Sequence, residues 1–373
     1  MSNQDTMPVS KLTQTFDDWA IAPPDVDCLV RWLAADGDDK EMLYRAADQA
    51  RARFVGEDIH LRGIIEFSNI CRLNCNYCGI RAKNTAVERY RLDKEEIIEL
   101  AFRARVYGYP TIVLQSGEDT TYSCDDICYI LEEIKKDGPL AITLSIGERP
   151  HEEYYRYSGS GCDRYLMRFE TSDPELFSKL HPDDNLEKRL GCLEAIRAAG
   201  IQLGSGFLIG LPGAGLEGIA RDLLFATKLQ LDMIGCGPFI PSPGTPLADA
   251  PMLEDRDVYY KAIAILRLLN PYAHIPATTA FDAIFKDGRN RVLTRGANVF
   301  MPNITPQRYR PGYQLYPNKP CIDEDGDQCA LCTRGRVHSI GRKIAADAGH
   351  SMRPDWIDRV AAKPAPSLSS AGA

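Results

Sequence analysis

The chain has no run of eighteen apolar residues, so no segment of it is expected to span a membrane. Its opening, MSNQDTMPVSKLTQTFDDW, lacks the apolar stretch of a secretory leader. Basic residues are in the minority, with 44 Lys and Arg against 52 Asp and Glu and a net charge of −8. Nucleic-acid binding asks for a basic face, and none is signalled. The glycine-rich stretch GSGFLIGLPG, residues 204–213, lacks the GK[ST] ending of a phosphate-cradling P-loop. Its glycines are instead expected to let the backbone pass close to a cofactor. These absences lead to the expectation of a cytoplasmic protein with no nucleic-acid and no membrane partner.

Cysteine, by contrast, is plentiful at twelve residues. Disulfides are not expected in a reducing compartment. Cys28, Cys124, Cys162, Cys192 and Cys236 are scattered, and Cys128 follows Cys124 at helical spacing. Most of these read as small buried hydrophobes. The other six form two groups, 71/75/78 and 321/329/332, where chemistry is expected.

Hydrophobic periodicity gives helices at Val26–Ala35 and Asp39–Phe54, an N-terminal cap over residues 1–60 whose first sixteen residues are expected to fray. From residue 61 the pattern changes. Short apolar runs at 62–67, 111–115, 140–145, 164–169, 203–209, 232–236, 273–277 and 297–301 read as strands. Helix patterns at 93–107, 125–136, 150–160, 185–199, 215–229, 254–270 and 280–287 separate them. Eight such units in about 240 residues predict an α/β fold, a closed (β/α)₈ TIM-type barrel over 61–301. A doubly wound open sheet is the alternative. A C-terminal extension, 302–350, carries the second cysteine group and is expected to wrap over or under the barrel. The tail from 351 to 373 is expected to be disordered.

In a barrel of this kind, active-site residues sit at the carboxyl ends of strands. Cys71 follows the first strand, Gly117 and Glu118 the second, Glu170 and Thr171 the fourth. Gly210 follows the fifth strand, Pro238 the sixth, Thr278 and Thr279 the seventh; Met301 and Asn303 end the eighth. The unusual polar and glycine residues thus gather at one rim.

The first cysteine group lies in EFSNICRLNCNYCGIRAKN, with spacing C-x3-C-x2-C. Three thiolates suit three irons of a cubane, and no fourth cysteine follows before Cys124. One iron would be left open to bind a cofactor. A zinc site completed by a histidine is the bland alternative, and the nearest histidine upstream is His60. With Tyr77 before the last cysteine, the motif resembles that of the radical S-adenosylmethionine (SAM) enzymes. The resemblance implies a [4Fe–4S] cluster on Cys71, Cys75 and Cys78, with the methionine amino and carboxylate groups of SAM on the fourth iron. Gly117–Glu118 in LQSGED is similar to the superfamily segment that meets the methionine amino group, with Ser116 where a glycine is frequent. Glu170 suits a ribose hydroxyl or an ammonium, and Arg189 suits a carboxylate held in bidentate fashion. The bland readings are a turn for Gly117–Glu118 and a surface salt bridge for Arg189.

Longer stretches narrow the resemblance. RYLMRFETSDPELFSKLHP, GCGPFIPSPGTPLAD, HIPATTAF, GANVFMPNITPQRYRPGYQLYP and the late C-x7-C-x2-C, over roughly residues 30–346, resemble the HydE family of [FeFe]-hydrogenase maturases. Methylornithine synthase and biotin synthase share parts of the pattern. The HydE resemblance implies action beside HydG and HydF on an iron complex of cysteine, carbon monoxide and cyanide delivered by HydG. It also implies an electron donor such as ferredoxin or flavodoxin. Arg168, Thr278, Thr279, Met301, Tyr313 and Tyr316 would line the substrate cavity. Phe169 stands where many members have histidine, which puts a proton-donor role there in doubt. Cys321, Cys329 and Cys332 would hold a second cluster, [2Fe–2S] or [4Fe–4S], apart from the core reaction; zinc or free thiols are the alternatives. A small-metabolite mutase or synthase, and a non-enzymatic cluster carrier, remain the competing functions.

Overall fold

The computed structural model describes residue 16 and residues 18–361. Residues 1–15 and 362–373, where most of the expected fraying and tail disorder falls, lie outside the described residues. Phe16 is buried between Trp19 and Trp32, with ring centroids 4.9 Å from each. The expected frayed segment therefore ends before it, because an aromatic trio fastens the chain there.

The cap consists of α1 (Val26–Leu33), whose first turn is closed by Asp25 accepting from the Cys28 amide, and α2 (Gly37–Val55). Strands and helices then alternate. They are β1 (His60–Ser68), α3 (Lys94–Val106), β2 (Thr111–Ser116), α4 (Cys124–Lys136), β3 (Ala141–Ser145), α5 (His151–Gly159) and β4 (Arg164–Leu166). There follow α6 (Pro174–Leu180), α7 (Leu186–Ala198), β5 (Gln202–Ser205), β6 (Leu208–Ile209), α8 (Gly215–Lys228), β7 (Met233–Ile234) and β8 (Gly237–Pro238). The last elements are α9 (Asp257–Leu269), α10 (Ala280–Ile284), α11 (Gly288–Leu293), β9 (Val299–Phe300), α12 (Gly326–Ser339) and α13 (Pro354–Ala361). The short helices α6 and α11 carry too few turns to show a period in the sequence, and α6 starts where Asp173 caps it and Pro174 fixes its first turn.

Seven strands form one parallel sheet in the order β7-β5-β4-β3-β2-β1-β9, with β6 and β8 paired above it. The sheet curls into a partial TIM-type barrel, its buried strands near-continuously apolar as helix-covered parallel strands require. Residues 273–277 run between the two outer strands. His274 bridges Met233 on one side, and Pro276 bridges Val299 on the other. The fourth strand stops at Leu166, short of its apolar run: the Ser205 hydroxyl donates to the Met167 carbonyl and accepts from the Phe169 amide, and Glu170, at a left-handed φ of 63°, makes only an isolated bridge to Phe207.

The C-terminal extension passes beneath the barrel. Ile344 bridges Ile59 next to β1, and the carbonyls of Ala348 and Gly349 accept hydrogen bonds from the buried Arg164. Arg62 donates to Gly349 as well. Ser351 is buried and its amide donates to Gln202 of β5 at 2.7 Å. The expected disorder from 351 therefore does not hold for 351–361: the barrel floor anchors Ser351, and α13 follows it. Among the described residues, no helix is long and apolar enough to cross a membrane.

Candidate functional site

The loop from Asn69 to Arg91 leaves β1 and carries the first three cysteines. The β1–β2 register slips between Glu66 and Ser68, which turns the chain out of the sheet at that point. One side chain then clamps the loop from within. The Arg89 guanidinium donates to the carbonyls of Asn69, Ile80, Arg81 and Asn84 at 2.6–3.1 Å. Asn69 adds bonds to the carbonyls of Glu88 and Gly312. The Gly79 amide donates to Leu315 and the Asn76 amide to Leu180. The loop is thus held to the extension on one side and to α6 on the other, on the protein's own hydrogen bonds.

Gly117 explains why the second strand must end in glycine. A Cβ there would stand 2.3 Å from the Ile70 carbonyl oxygen and 2.8 Å from Cys71 Cβ. Without a side chain, the end of β2 passes directly under the cysteine loop, and the Glu118 amide points at Cys71 Sγ from 3.4 Å. Arg72 meets the Glu118 carboxylate at 2.7 Å. Gly147 performs the same service for Glu118, since a Cβ there would overlap the Glu118 side chain.

Cys71, Cys75 and Cys78 are all free and line one cavity of about 310 Å³. Burial raises the Cys71 thiol; burial and the neighbouring thiols raise Cys75 well above the usual range. Burial pushes Cys78 up to about 12. Three such thiols ionise together only when a multiply charged cation compensates them. Among the described residues, the one trio of candidate ligands whose atoms lie within 4.8 Å of one another is elsewhere, at Cys321, Glu324 and Cys329. The three sulfurs of the first group therefore do not all lie within 4.8 Å of one another, whereas the donors of a single tetrahedral zinc stand about 4 Å apart. Three thiols so placed suit a larger, multi-iron centre.

Every cofactor-contact candidate reaches the same cavity: Tyr77, Gly117, Glu118, Glu170 and Arg189 all line it. Glu170 is buried, with Oε1 3.1 Å from Arg168 Nε and Oε2 without a partner. A buried carboxylate oxygen with no donor is costly, and a hydroxyl of a bound molecule would satisfy it. Arg189 is not the surface residue of the bland reading. It is 5% exposed and donates to Glu148, Asp184 and the Arg168 carbonyl at 2.6–2.9 Å. Burial opposes its charge, but Glu148 outweighs that and raises its pKa. Three of its five N–H donors are therefore committed to protein, which leaves two for a ligand.

The substrate-side candidates converge too. Arg168, Thr278, Thr279, Met301, Tyr313 and Tyr316 line the cavity. Thr279 Oγ1 and Tyr316 Oη are 2.5 Å apart, and Tyr313 Oη accepts from Gln115 at 3.1 Å. Burial works against the Arg168 charge, yet Glu170 outweighs it. Phe169 is fully buried against Phe207 and Phe225, so that position serves the core and not the cavity. Within 204–213, Gly206 serves packing: a Cβ there would sit 2.0 Å from the Gly235 carbonyl oxygen, where two strands approach.

Sequence reasoning missed several cavity residues. His181 lies beyond α6 with Nδ1 3.2 Å from Cys75 Sγ. Glu66 and Lys319 form a buried ion pair, and Arg289 stacks over Phe300 at 4.3 Å. His181 could have been noticed as the single histidine between His151 and His274, inside a stretch already marked by Arg168 and Glu170. Glu66 and Lys319 are 253 residues apart, and no local pattern joins them.

The second cysteine group is less remote than expected. Cys321, at a left-handed φ of 64°, forms part of the cavity wall. Cys329 is buried and Cys332 is exposed, both on α12, which opens with a capping box of Asp325 and Gln328. Cys332 is not part of the tight Cys321–Glu324–Cys329 trio. The hydrogen bond from Cys329 lowers the Cys321 thiol to about 7 against the effect of burial, and the Arg289 charge helps. Cys329 is raised in return.

Residues 65–226 match the Radical SAM superfamily. The chain is 47% identical over 313 residues to the [FeFe] hydrogenase maturase subunit HydE of Thermotoga maritima, covering 84% of this chain and 89% of that one. It is 30% identical over 265 residues to the 3-methylornithine synthase of Methanosarcina acetivorans, covering 70% and 74%. A solved methylornithine synthase superposes with a TM-score of 0.78 at 26% identity, over 93% of this chain and 99% of that one. The radical SAM fold brings with it a [4Fe–4S] cluster and SAM as the family's cofactors. With nearly half its residues shared over most of both chains, this protein belongs to the HydE family and is a radical SAM enzyme.

Proposed function

We propose that the enzyme is a maturase of the [FeFe]-hydrogenase active site, with Cys71, Cys75 and Cys78 as ligands of a [4Fe–4S] cluster and SAM on its open iron. Held there, a [4Fe–4S] cluster would supply the electron for reductive cleavage of the C5′–S bond of SAM to a 5′-deoxyadenosyl radical. Cys71 receives a hydrogen bond from the Glu118 amide, which stabilises its thiolate. The Glu118 side chain and Gly117 meet the methionine amino end, and the two free N–H groups of Arg189 meet the carboxylate. The orphaned Oε2 of Glu170 accepts a ribose hydroxyl. Tyr77, which lines the same cavity, would pack against the bound cofactor.

The observation that carries this reading is the continuity of one cavity. It runs from the three cysteines to Arg168, Thr278, Thr279, Met301, Tyr313 and Tyr316. A radical released at the cysteines would meet a substrate held by those residues without crossing water. We read that substrate as the iron–carbonyl–cyanide–cysteine complex made by HydG, attacked at its cysteine sulfur. Arg168 and the threonines offer donors suited to cyanide or other anionic ligands. The product would pass toward HydF, and ferredoxin or flavodoxin would supply the electron. Identity of 47% to a HydE, against 30% to a 3-methylornithine synthase, favours this substrate class.

Three finer readings accompany it. The barrel is closed through residues 273–277, supported by Ile234 donating to His274 and Ala277 to Val299, each at 2.9 Å. Cys321, Cys329 and Cys332 hold a second metal centre, a [2Fe–2S] or [4Fe–4S] cluster, with Glu324 close enough to join it. The enzyme works in a reducing cytoplasm, consistent with twelve cysteines all free.

The test incubates reduced, reconstituted enzyme and SAM with the product of a HydG reaction. An adduct of the 5′-deoxyadenosyl group with the cysteine sulfur is expected. Turnover of a free amino acid, with the HydG product ignored, would move the enzyme to the methylornithine synthase class.

A further inference from the structure

His181 is the one imidazole that touches the cysteine loop among the described residues. It is 3% exposed and stacks on Phe177, with centroids 4.5 Å apart and planes 17° apart. Its two nitrogens face different partners. Nδ1 lies 3.2 Å from Cys75 Sγ, and Nε2 lies 3.3 Å from Tyr77 Oη. The Tyr77 ring meets the imidazole edge-on, at 5.5 Å and 75°. Both ring nitrogens are thus aimed within the motif, at one ligand candidate and at the aromatic residue two positions on.

The chemistry of the partners decides where the protons lie. A thiol at Cys75 could donate to the ring. A thiolate at Cys75, as metal ligation requires, can only accept. Nδ1 must then carry the proton and donate to sulfur. That leaves the Nε2 lone pair for the Tyr77 hydroxyl, which is itself a donor. A doubly protonated ring would keep the same Nδ1–H donor, so the arrangement does not depend on the charge of the imidazole. The Phe177 stack and the backbone tie between Asn76 and Leu180 hold the ring in place.

Resting on the cluster assignment above, we propose that His181 is a positioning residue that sets the reduction potential of the cluster by donating Nδ1–H to the Cys75 sulfur, with Tyr77 fixing the tautomer. Electron gain adds negative charge to the cluster, and a donor on a ligating sulfur stabilises that charge. Hydrogen bonds to cluster sulfurs are among the protein's means of tuning potential. His181 would therefore make the cluster easier to reduce.

The experiment uses full-length enzyme reconstituted without oxygen and without SAM, with iron content and cluster absorbance measured first. Midpoint potentials then come from redox titrations followed by electron paramagnetic resonance. His181→Phe and His181→Gln are expected to shift the potential negative. His181→Asn, whose Nδ2 reaches the position of the imidazole Nδ1, is expected to stay near the native value. Tyr77→Phe should give a smaller negative shift, because the tautomer is no longer fixed. Transfer to D₂O should remove a proton coupling from the native cluster that His181→Phe lacks. Equal potentials in native, Gln and Asn enzymes at full iron content would overturn the proposal, whether or not His181→Phe loads. Absence of any cluster in the native enzyme would instead defeat the cluster assignment itself.

Discussion

The two cysteine groups share a count of three and differ in how the protein surrounds them. The first sits on a loop fastened by Arg89 through four carbonyls and packed against Gly117, just past the end of β2. All its thiols are raised, burial first, so they are poor thiolates until metal arrives. The second straddles a left-handed turn and a helix start, with one thiol in the cavity wall, one buried and one exposed. There the pairing with Cys329 and the charge of Arg289 favour a thiolate on Cys321 without metal. On the proposed function, the first group would hold a resident cluster on ligands that resist ionising by themselves. A site with a ready thiolate and an exposed third cysteine is open to exchange.

The sharpest break between the two is removal of one ligand from each. Cys75→Ala is expected to lose the iron and absorbance of the first group's cluster, keep those held by Cys321, Cys329 and Cys332, and reduce SAM cleavage to the uncatalysed background, as measured by 5′-deoxyadenosine release. Next in size is Glu170→Gln, which keeps the shape but weakens the acceptor for the ribose. Its SAM dissociation constant should rise roughly 10- to 100-fold, the worth of about 1.5–3 kcal/mol for a hydrogen bond to a charged group. Iron content should be unchanged, and equilibrium binding of SAM to the loaded enzyme checks both.

The thiols themselves give a smaller contrast. In metal-free protein near pH 7, iodoacetamide should label Cys321 about tenfold or more faster than Cys78. The sign follows from the shifts. Cys321, near 7, gains thiolate between pH 6 and 8, whereas Cys78, near 12, stays a thiol throughout. Peptide mapping across that pH range reads the difference. Smallest is Cys329→Ala with Cys332→Ala, expected to lower the metal content while leaving SAM cleavage within about twofold of native. A collapse of cleavage in that variant would erase the distinction drawn here.

The same contrast governs what the sequence could reveal. Strand and helix placement was legible because buried parallel strands and amphipathic helices write their period locally: the runs at 62–67 and 111–115 became His60–Ser68 and Thr111–Ser116. The rim residues were legible because strand ends order the site. Glu148 and Asp184 were not, since their role is to hold Arg189 from separate loops. Nor was the floor, where Arg62 and Arg164 meet carbonyls near residue 349. A glycine pattern signals close approach without naming the partner, which at Gly206 is the Gly235 backbone. Phe169 was doubtful from sequence and is settled by packing against Phe225.

If the first cysteine group, and not the second, carries the chemistry, each group's variant should show it in the products. The decisive experiment reduces reconstituted native, Cys75→Ala and Cys329→Ala/Cys332→Ala enzymes with dithionite in the presence of SAM and quantifies 5′-deoxyadenosine. Product is expected from the native and double-variant enzymes and none above background from Cys75→Ala. Product from Cys75→Ala, or its loss only in the double variant, would contradict that assignment.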